Sequence, residues 1–422
     1  MESQRRTVVY LQAARALRSV GQGVAIVDMA LLLKALGWRA AAIGGVLSAA
    51  GVVGAALILF CGPLSDRVGR KPFLLAYELM TCAAALVVAL SRNAALLSAA
   101  IVLTGLGRGQ NGAAGPFTPV EQAWMAGSVP PNQRSRVFSA NTAIGFFGVA
   151  TGCLLAGLDR VWRGALPGAL AFRPLFCGIA CLSLACACMV WLAPGGGMQG
   201  RQAVAEGREA SPSRRQGRSD SERTRFRRDP GRKAENRDIA RLAFVNLLNG
   251  LGVGFVGPMI SYWFATKFGA TSGEIGGTLA ATFVVTGFAA LFSGYLADRV
   301  GMVRAVVWLR LAGVLLMCAL PFMPSFALAS VIYAVRSALS RGTQGARSAL
   351  GASLTSEARR GFSLSMNSFF TRAASAVGPT ISGWLLDEGS LALPFVVAAG
   401  LQLVSTALYG LFFRGYDVAR RT

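Results

Sequence analysis

The chain has 422 residues, 54% of them hydrophobic and 14% charged, with a formal net charge of +23 and no histidine. A soluble protein of this length carries about a quarter charged residues, so these totals exclude an ordinary soluble domain. The basic residues sit at the ends of apolar runs, which makes the lipid bilayer the expected partner and excludes nucleic acid.

In chain order, Met1 to Thr7 is polar and basic, and the first apolar stretch holds Arg15 and Arg18, which rules out the uninterrupted core of a cleavable signal peptide. That stretch also carries Asp28, in the half of the span expected to face outward. Apolar runs at 42–61, 73–91, 174–194, 275–297 and 390–413 are each long enough to cross roughly 30 Å of hydrocarbon at about 1.5 Å per residue. The spacing predicts twelve spans, which use on the order of 240–300 residues and leave no room for a soluble catalytic domain. Glu78 falls in the third span near its inner end, where it can face headgroups. The fourth holds Arg108, Gln110, Asn111 and, in its inner half, Glu121. An arginine at the bilayer centre costs roughly 2.5–3.5 kcal/mol on insertion scales, so Arg108 is expected to face a cavity or a fixed ionic partner. Span five holds Gly145, Gly148 and Gly152 without a proline, and four of the eight cysteines crowd span six, where they read as small apolar filler and not as metal ligands.

Residues 195–238 open on three glycines and hold twelve Lys/Arg and seven Asp/Glu. Such a stretch cannot bury a core and is expected to be a flexible basic tether between a bundle at 1–194 and another at 239–422. Beyond it, Asn249, Tyr262 and Trp263 in span seven are candidates for the wall of a substrate cavity, or for interfacial and packing roles. Arg341, Thr343 and Gln344 lie in span ten, and Arg372 in span eleven has no counterpart in the first half. Gly378, Pro379 and Gly383 form a hinge-like sequence suited to bending and close packing.

The two sides of the tether repeat each other. At an offset of 232, Gly37, Ile43, Gly44, Gly45 and Phe60 fall on Gly269, Ile275, Gly276, Gly277 and Phe292. In the same register Gly62, Leu64, Asp66, Arg67, Val68 and Gly69 fall on Gly294, Leu296, Asp298, Arg299, Val300 and Gly301. At 233, Arg108-Gly109 meets Arg341-Gly342. A duplicated six-helix unit around a central site is a usual build of secondary transporters.

The segment Gly62-Pro63-Leu64-Ser65-Asp66-Arg67-Val68-Gly69-Arg70-Lys71 resembles the signature loop of the major facilitator superfamily, and Gly294 to Gly301 repeats it before departing at Met302-Val303. The resemblance implies an all-α membrane fold of twelve transmembrane helices in two pseudo-symmetric bundles. It also implies that Gly62, Asp66, Arg67, Gly69, Arg70, Lys71, Gly294, Asp298, Arg299 and Gly301 form a cytoplasmic gate. The stretch around Arg108 is similar to the family's fourth-helix arginine motif, associated with proton coupling in many exporters. Drug–proton antiporters usually carry a glycine-proline motif in the fifth helix, which this chain lacks.

With no histidine, any proton relay has to use carboxylates; Asp28 is the first candidate carrier, Glu121 the second, with Arg108 as modulator. Fifteen Lys/Arg in the short segments placed inside, against seven outside, set both termini in the cytoplasm of a cell whose inner membrane holds the chain. The expectation is a monomeric transporter, not an enzyme, needing no cofactor and moving a small molecule with protons. Efflux comes first, uptake of a metabolite or anion second, and a membrane sensor is the rival of another class.

Overall fold

The computed structural model describes residues 2–108, 118–130, 134–195, 230–343, 347, 350 and 360–419. They are helical nearly throughout. The first half contains α1 (Glu2–Ala35), α2 (Ala40–Val68), α3 (Arg70–Leu90), α4 (Ala94–Thr104), α5 (Thr118–Gly127), α6 (Arg134–Ala156), the short α7 (Asp159–Trp162) and α8 (Arg173–Leu192). The second contains α9 (Pro230–Val256), α10 (Ile260–Lys267), α11 (Ser272–Val300), α12 (Met302–Ala319), α13 (Phe326–Gly342), α14 (Arg360–Asp387) and α15 (Leu393–Ala419). Among the described residues, eight helical stretches are long and apolar enough to cross a bilayer. Helix α9 is already formed at Pro230, inside the stretch read from sequence as tether.

Glycine and proline decide where these helices stop. Helix α4 ends on Gly105, whose φ of 70° is left-handed, and Gly107 follows at 83°. Among the described residues the fourth span holds two helical pieces, α4 and α5, and Arg108 lies beyond the end of α4. The Thr104 carbonyl at that break accepts a hydrogen bond from the Tyr77 hydroxyl at 2.7 Å, which satisfies an otherwise orphaned helix end. Span seven is divided in the same way at Gly257-Pro258, between α9 and α10.

In the first half α1 packs on α6 and α8, and α3 on α8 and α4; in the second α9 packs on α14 and α15, and α12 on α15 and α13. The halves meet along two seams, α2 against α14 and α6 against α11. The sequence offset carries α2 onto α11 and α6 onto α14, so the duplication exchanges the two seams. Gly44 and Gly276, paired in the repeat, do the same job in each. A Cβ at Gly44 would overlap the Pro379 carbonyl, and one at Gly276 would overlap the Cys153 carbonyl. The predicted hinge glycines likewise serve as contact points: Gly378 abuts Gly254 and Phe255 of α9, and Gly383 abuts Ala40 of α2.

These contacts lie toward the end of the molecule away from the termini. There Asp387, at the close of α14, accepts from the first amides of α2, Ala40 and Ala41, at 2.8 and 2.9 Å. Negative charge at a helix N-terminus is favoured by the exposed N–H groups and the dipole. Lys34 reaches Thr266 at 2.9 Å, and Gly157 packs on Gly273. One buried core runs through both halves, from Ala25 and Ile43 to Phe283 and Phe395. At this end the molecule is shut.

Candidate functional site

Four groups of polar residues occupy the interior. The first is wholly within the first half. Arg18 on α1 donates from Nε to Glu78 Oε1 of α3 at 2.6 Å and from Nη1 to Glu121 of α5, while Asn141 of α6 donates to Glu121 at 3.4 Å. Arg18, Glu78 and Glu121 are all buried, with the Cys186 thiol beside them. Two carboxylates surround one guanidinium, and Arg15, one helical turn away on the same helix, is within electrostatic reach of Glu121. This arrangement ties α1, α3, α5 and α6 together. Glu78 thus faces the bundle interior and not the headgroups, and Glu121, a candidate proton carrier, is held by Arg18 and not by Arg108.

The second group lies at the α6–α11 seam. Asp28 is fully buried and accepts a hydrogen bond from the Ser272 hydroxyl at the start of α11, in the other half. Ser272 also approaches the Ala156 carbonyl at 3.3 Å. The second Asp28 oxygen is buried without a hydrogen-bond partner. The buried Asp159 and its ion-pair partner Arg163 lie within electrostatic reach. Ser272 had no sequence signal beyond its place ahead of an apolar run.

The third group joins the halves in the middle of the α2–α14 seam, and proline creates it. Pro379 stands inside α14 and has no N–H, so the Ser375 carbonyl four residues earlier loses its helical donor. Arg108 Nη2 takes that carbonyl at 3.0 Å. The next amide, Thr380, is met by the Ser48 hydroxyl of α2 at 3.0 Å. Gly51 makes room: a Cβ there would sit within the Arg108 guanidinium. Arg372, one turn before Ser375, is close enough to repel Arg108. Arg341, the repeat counterpart of Arg108, lies over the Phe283 ring at 5.4 Å, a cation–π contact.

The fourth group is confined to the second half. Arg310 of α12 donates to Asn249, and Arg347 donates to Asn246 at 2.9 Å, both acceptors being on α9. Asn249, a cavity candidate, is therefore buried against Arg310. Trp263 is also buried; its indole donates to the Leu391 carbonyl at 2.8 Å and its rings pack among Phe264, Phe268 and Phe395. Tyr262 is half-buried beneath Lys34. Gln110, Asn111 and Gln344 lie outside the described residues.

At the terminal end, Gly69 and Gly301 adopt the same glycine-only backbone, φ 104° with ψ 144° and φ 107° with ψ 145°. Each lies between two long helices. Arg70 then donates to the Ala123 carbonyl and Lys71 to the Ala193 carbonyl, both at 3.0 Å, while Arg299 is exposed. Gly62, Asp66 and Arg67 belong to α2, and Gly294 and Asp298 to α11; their side chains lie outside the described residues.

Comparison with known proteins gives this geometry a context. The family model described as Major Facilitator Superfamily matches residues 13–231 and 242–421. A curated relative, "Uncharacterized MFS-type transporter YhjO" of Bacillus subtilis (strain 168), is 31% identical over 120 residues, 28% of each chain. Among solved structures, a POT family peptide transporter aligns with a TM-score of 0.72 at 15% identity, over 97% of both chains. The nucleoside transporter NupG aligns at 0.70 and 13%, over 97% of this chain and 99% of that one. A D-xylose–proton symporter aligns at 0.70 and 13%, over 95% and 96%. At such identities the structures share the fold with this chain.

Proposed function

We propose that this chain, which belongs to the Major Facilitator Superfamily, is a secondary active transporter that exchanges protons for a small organic molecule by alternating access, in the direction of efflux. The observation that carries the reading is Asp28, a fully buried carboxyl bonded across the seam to Ser272 with its other oxygen unpartnered. An isolated carboxylate in an apolar interior is far costlier than a carboxylic acid. Proton occupancy of Asp28 and the closure of this seam are therefore thermodynamically linked, and a group that senses both is what coupling requires. Opening the seam admits water to Asp28 and exchanges its proton; closing it again withdraws the group. The efflux direction is supported by the likeness of the Arg108 segment to exporter motifs. Both termini and the turns at Gly69 and Gly301 face the cytoplasm in this reading. Asp66 and Asp298 latch that face when the opposite one opens.

The test is solute-dependent proton movement in proteoliposomes of the full chain loaded with a pH-sensitive dye. Protons moving against the solute support efflux by exchange, and protons moving with it replace that direction by uptake. Asp28→Asn is expected to abolish the proton signal while leaving the purified protein folded. If Asp28→Asn moves protons as the parent does, Asp28 has no part in coupling. If no solute in a broad panel moves at all, the sensor reading takes over.

A further inference from the structure

The second half is unusual in its charge. From Ile239 to Leu386 the only acidic residues are Glu274, Asp298 and Glu357. Glu274 is exposed and spends its carboxylate on the Thr271 amide and hydroxyl at the start of α11, both at 2.8 Å. The other two belong to loop-proximal positions in the sequence. Against them stand Arg310, Arg336, Arg341, Arg347 and Arg372, none of which has a carboxylate partner among the described residues. Arg310 and Arg347 use neutral asparagines.

Across the seam, Arg108 has no carboxylate either: Asp28 is engaged by Ser272, and Glu78 and Glu121 by Arg18. A guanidinium has five N–H donors. Arg108 commits one nitrogen to the Ser375 carbonyl, and its Nε is buried with no hydrogen-bond partner. Arg372 is half-buried and stands near enough to repel it. Two like charges held together between mobile halves, with donors unspent, are costly unless a third body of opposite sign arrives.

We infer that Arg108 and Arg372 form a binding site for an organic anion bearing a carboxylate or phosphate group. The planar fork of arginine matches both heads by paired hydrogen bonds. One guanidinium comes from each half, so the anion bridges them and replaces repulsion with attraction. The inference deepens the transporter reading by naming the class of its cargo.

The experiment is thermal unfolding of the purified full chain in neutral detergent, at fixed ionic strength set with sodium chloride. The probes share one ring and differ in charge: phenyl phosphate, benzoate, benzamide and benzamidine. Phenyl phosphate and then benzoate are expected to raise the melting temperature, and benzamide and benzamidine are not. In Arg372→Gln and in Arg108→Gln the anion affinity should fall roughly 30-fold or more, the loss typical of removing one partner of a buried charge pair. Arg372→Gln should also melt no lower than the parent without ligand, because it removes a repulsion; that result separates lost binding from lost folding. Arg108→Lys keeps the charge without the fork and should retain preference for anions at reduced affinity. Stabilisation by benzamide or benzamidine equal to that by the anions overturns the assignment. So does an anion effect that survives in both Gln variants, or the absence of any anion effect. Anion binding without gradient-driven flux would remove the transport reading and leave the site. Driven flux of a neutral or cationic solute alone would do the reverse.

Discussion

Replacing Arg18 by methionine tests the energetics of the first-half interior. The substitution keeps length and flexibility but strips Glu78 and Glu121 of their shared cation, leaving both buried beside each other. Breaking a buried ion pair by removing one partner typically costs about 3–5 kcal/mol, because the remaining charge has neither water nor a counterion. Here two carboxylates lose that partner, while Asn141 still donates to Glu121 and Arg15 stays within electrostatic reach of it, so the loss should fall within that range. Changing all three residues to methionine removes the ion pairs but also takes Glu121 from the neighbourhood of buried Arg15, and is expected to cost less than Arg18→Met alone. Unfolding in mixed detergent micelles, followed by tryptophan fluorescence, measures both variants. A single-variant loss below about 1 kcal/mol, the value of an exposed pair, would refute the reading of this cluster as a buried ionic network.

Other consequences follow from the backbone. Gly44→Val and Gly276→Val each push a side chain into a carbonyl of the opposite half and should cost about 1–3 kcal/mol; cysteines placed beside Ala40 should become more reactive to a water-soluble thiol reagent in both. Gly301→Ala and Gly69→Ala force a Cβ into a backbone region nearly reserved for glycine, at about 1–3 kcal/mol each, read by the same unfolding assay. Pro379→Ala returns a donor to the Ser375 carbonyl and competes with Arg108 for it; hydrogen exchange at residue 379 should reveal a protected new amide, and a freely exchanging one would contradict the proposed origin of that contact.

The topology was legible because the bilayer is a blunt constraint: apolar length, basic flanks and a repeat offset are linear features. Gly44 and Gly276, and Gly69 and Gly301, could be matched on paper and prove to hold equivalent settings in three dimensions. The ionic interior was not legible to the same degree. Arg15 and Arg18 served only to argue against a signal peptide, although two arginines in a span call for acids, and few intramembrane acids were on offer. Choosing which acid required knowing that α1 lies against α5 as well as α8. Pro379 shows the limit from the other side. The sequence identifies the carbonyl it frees, four residues back, but the donor that arrives comes from a distant residue in the other half. Trp263 and Asn249, polar and centrally placed on paper, are absorbed by packing and by Arg310.

The asparagine–arginine pairs of the second half bear on how the chain is made. Asn246 and Asn249 belong to α9, which leaves the ribosome before Arg310 of α12 and before Arg347, which follows α13. Arg310 and Arg347 can thus meet a waiting acceptor when they enter the hydrocarbon. A fragment beginning after α9 would have to insert the same cations unaided, so biosynthesis of this half should depend on the order in which its helices emerge.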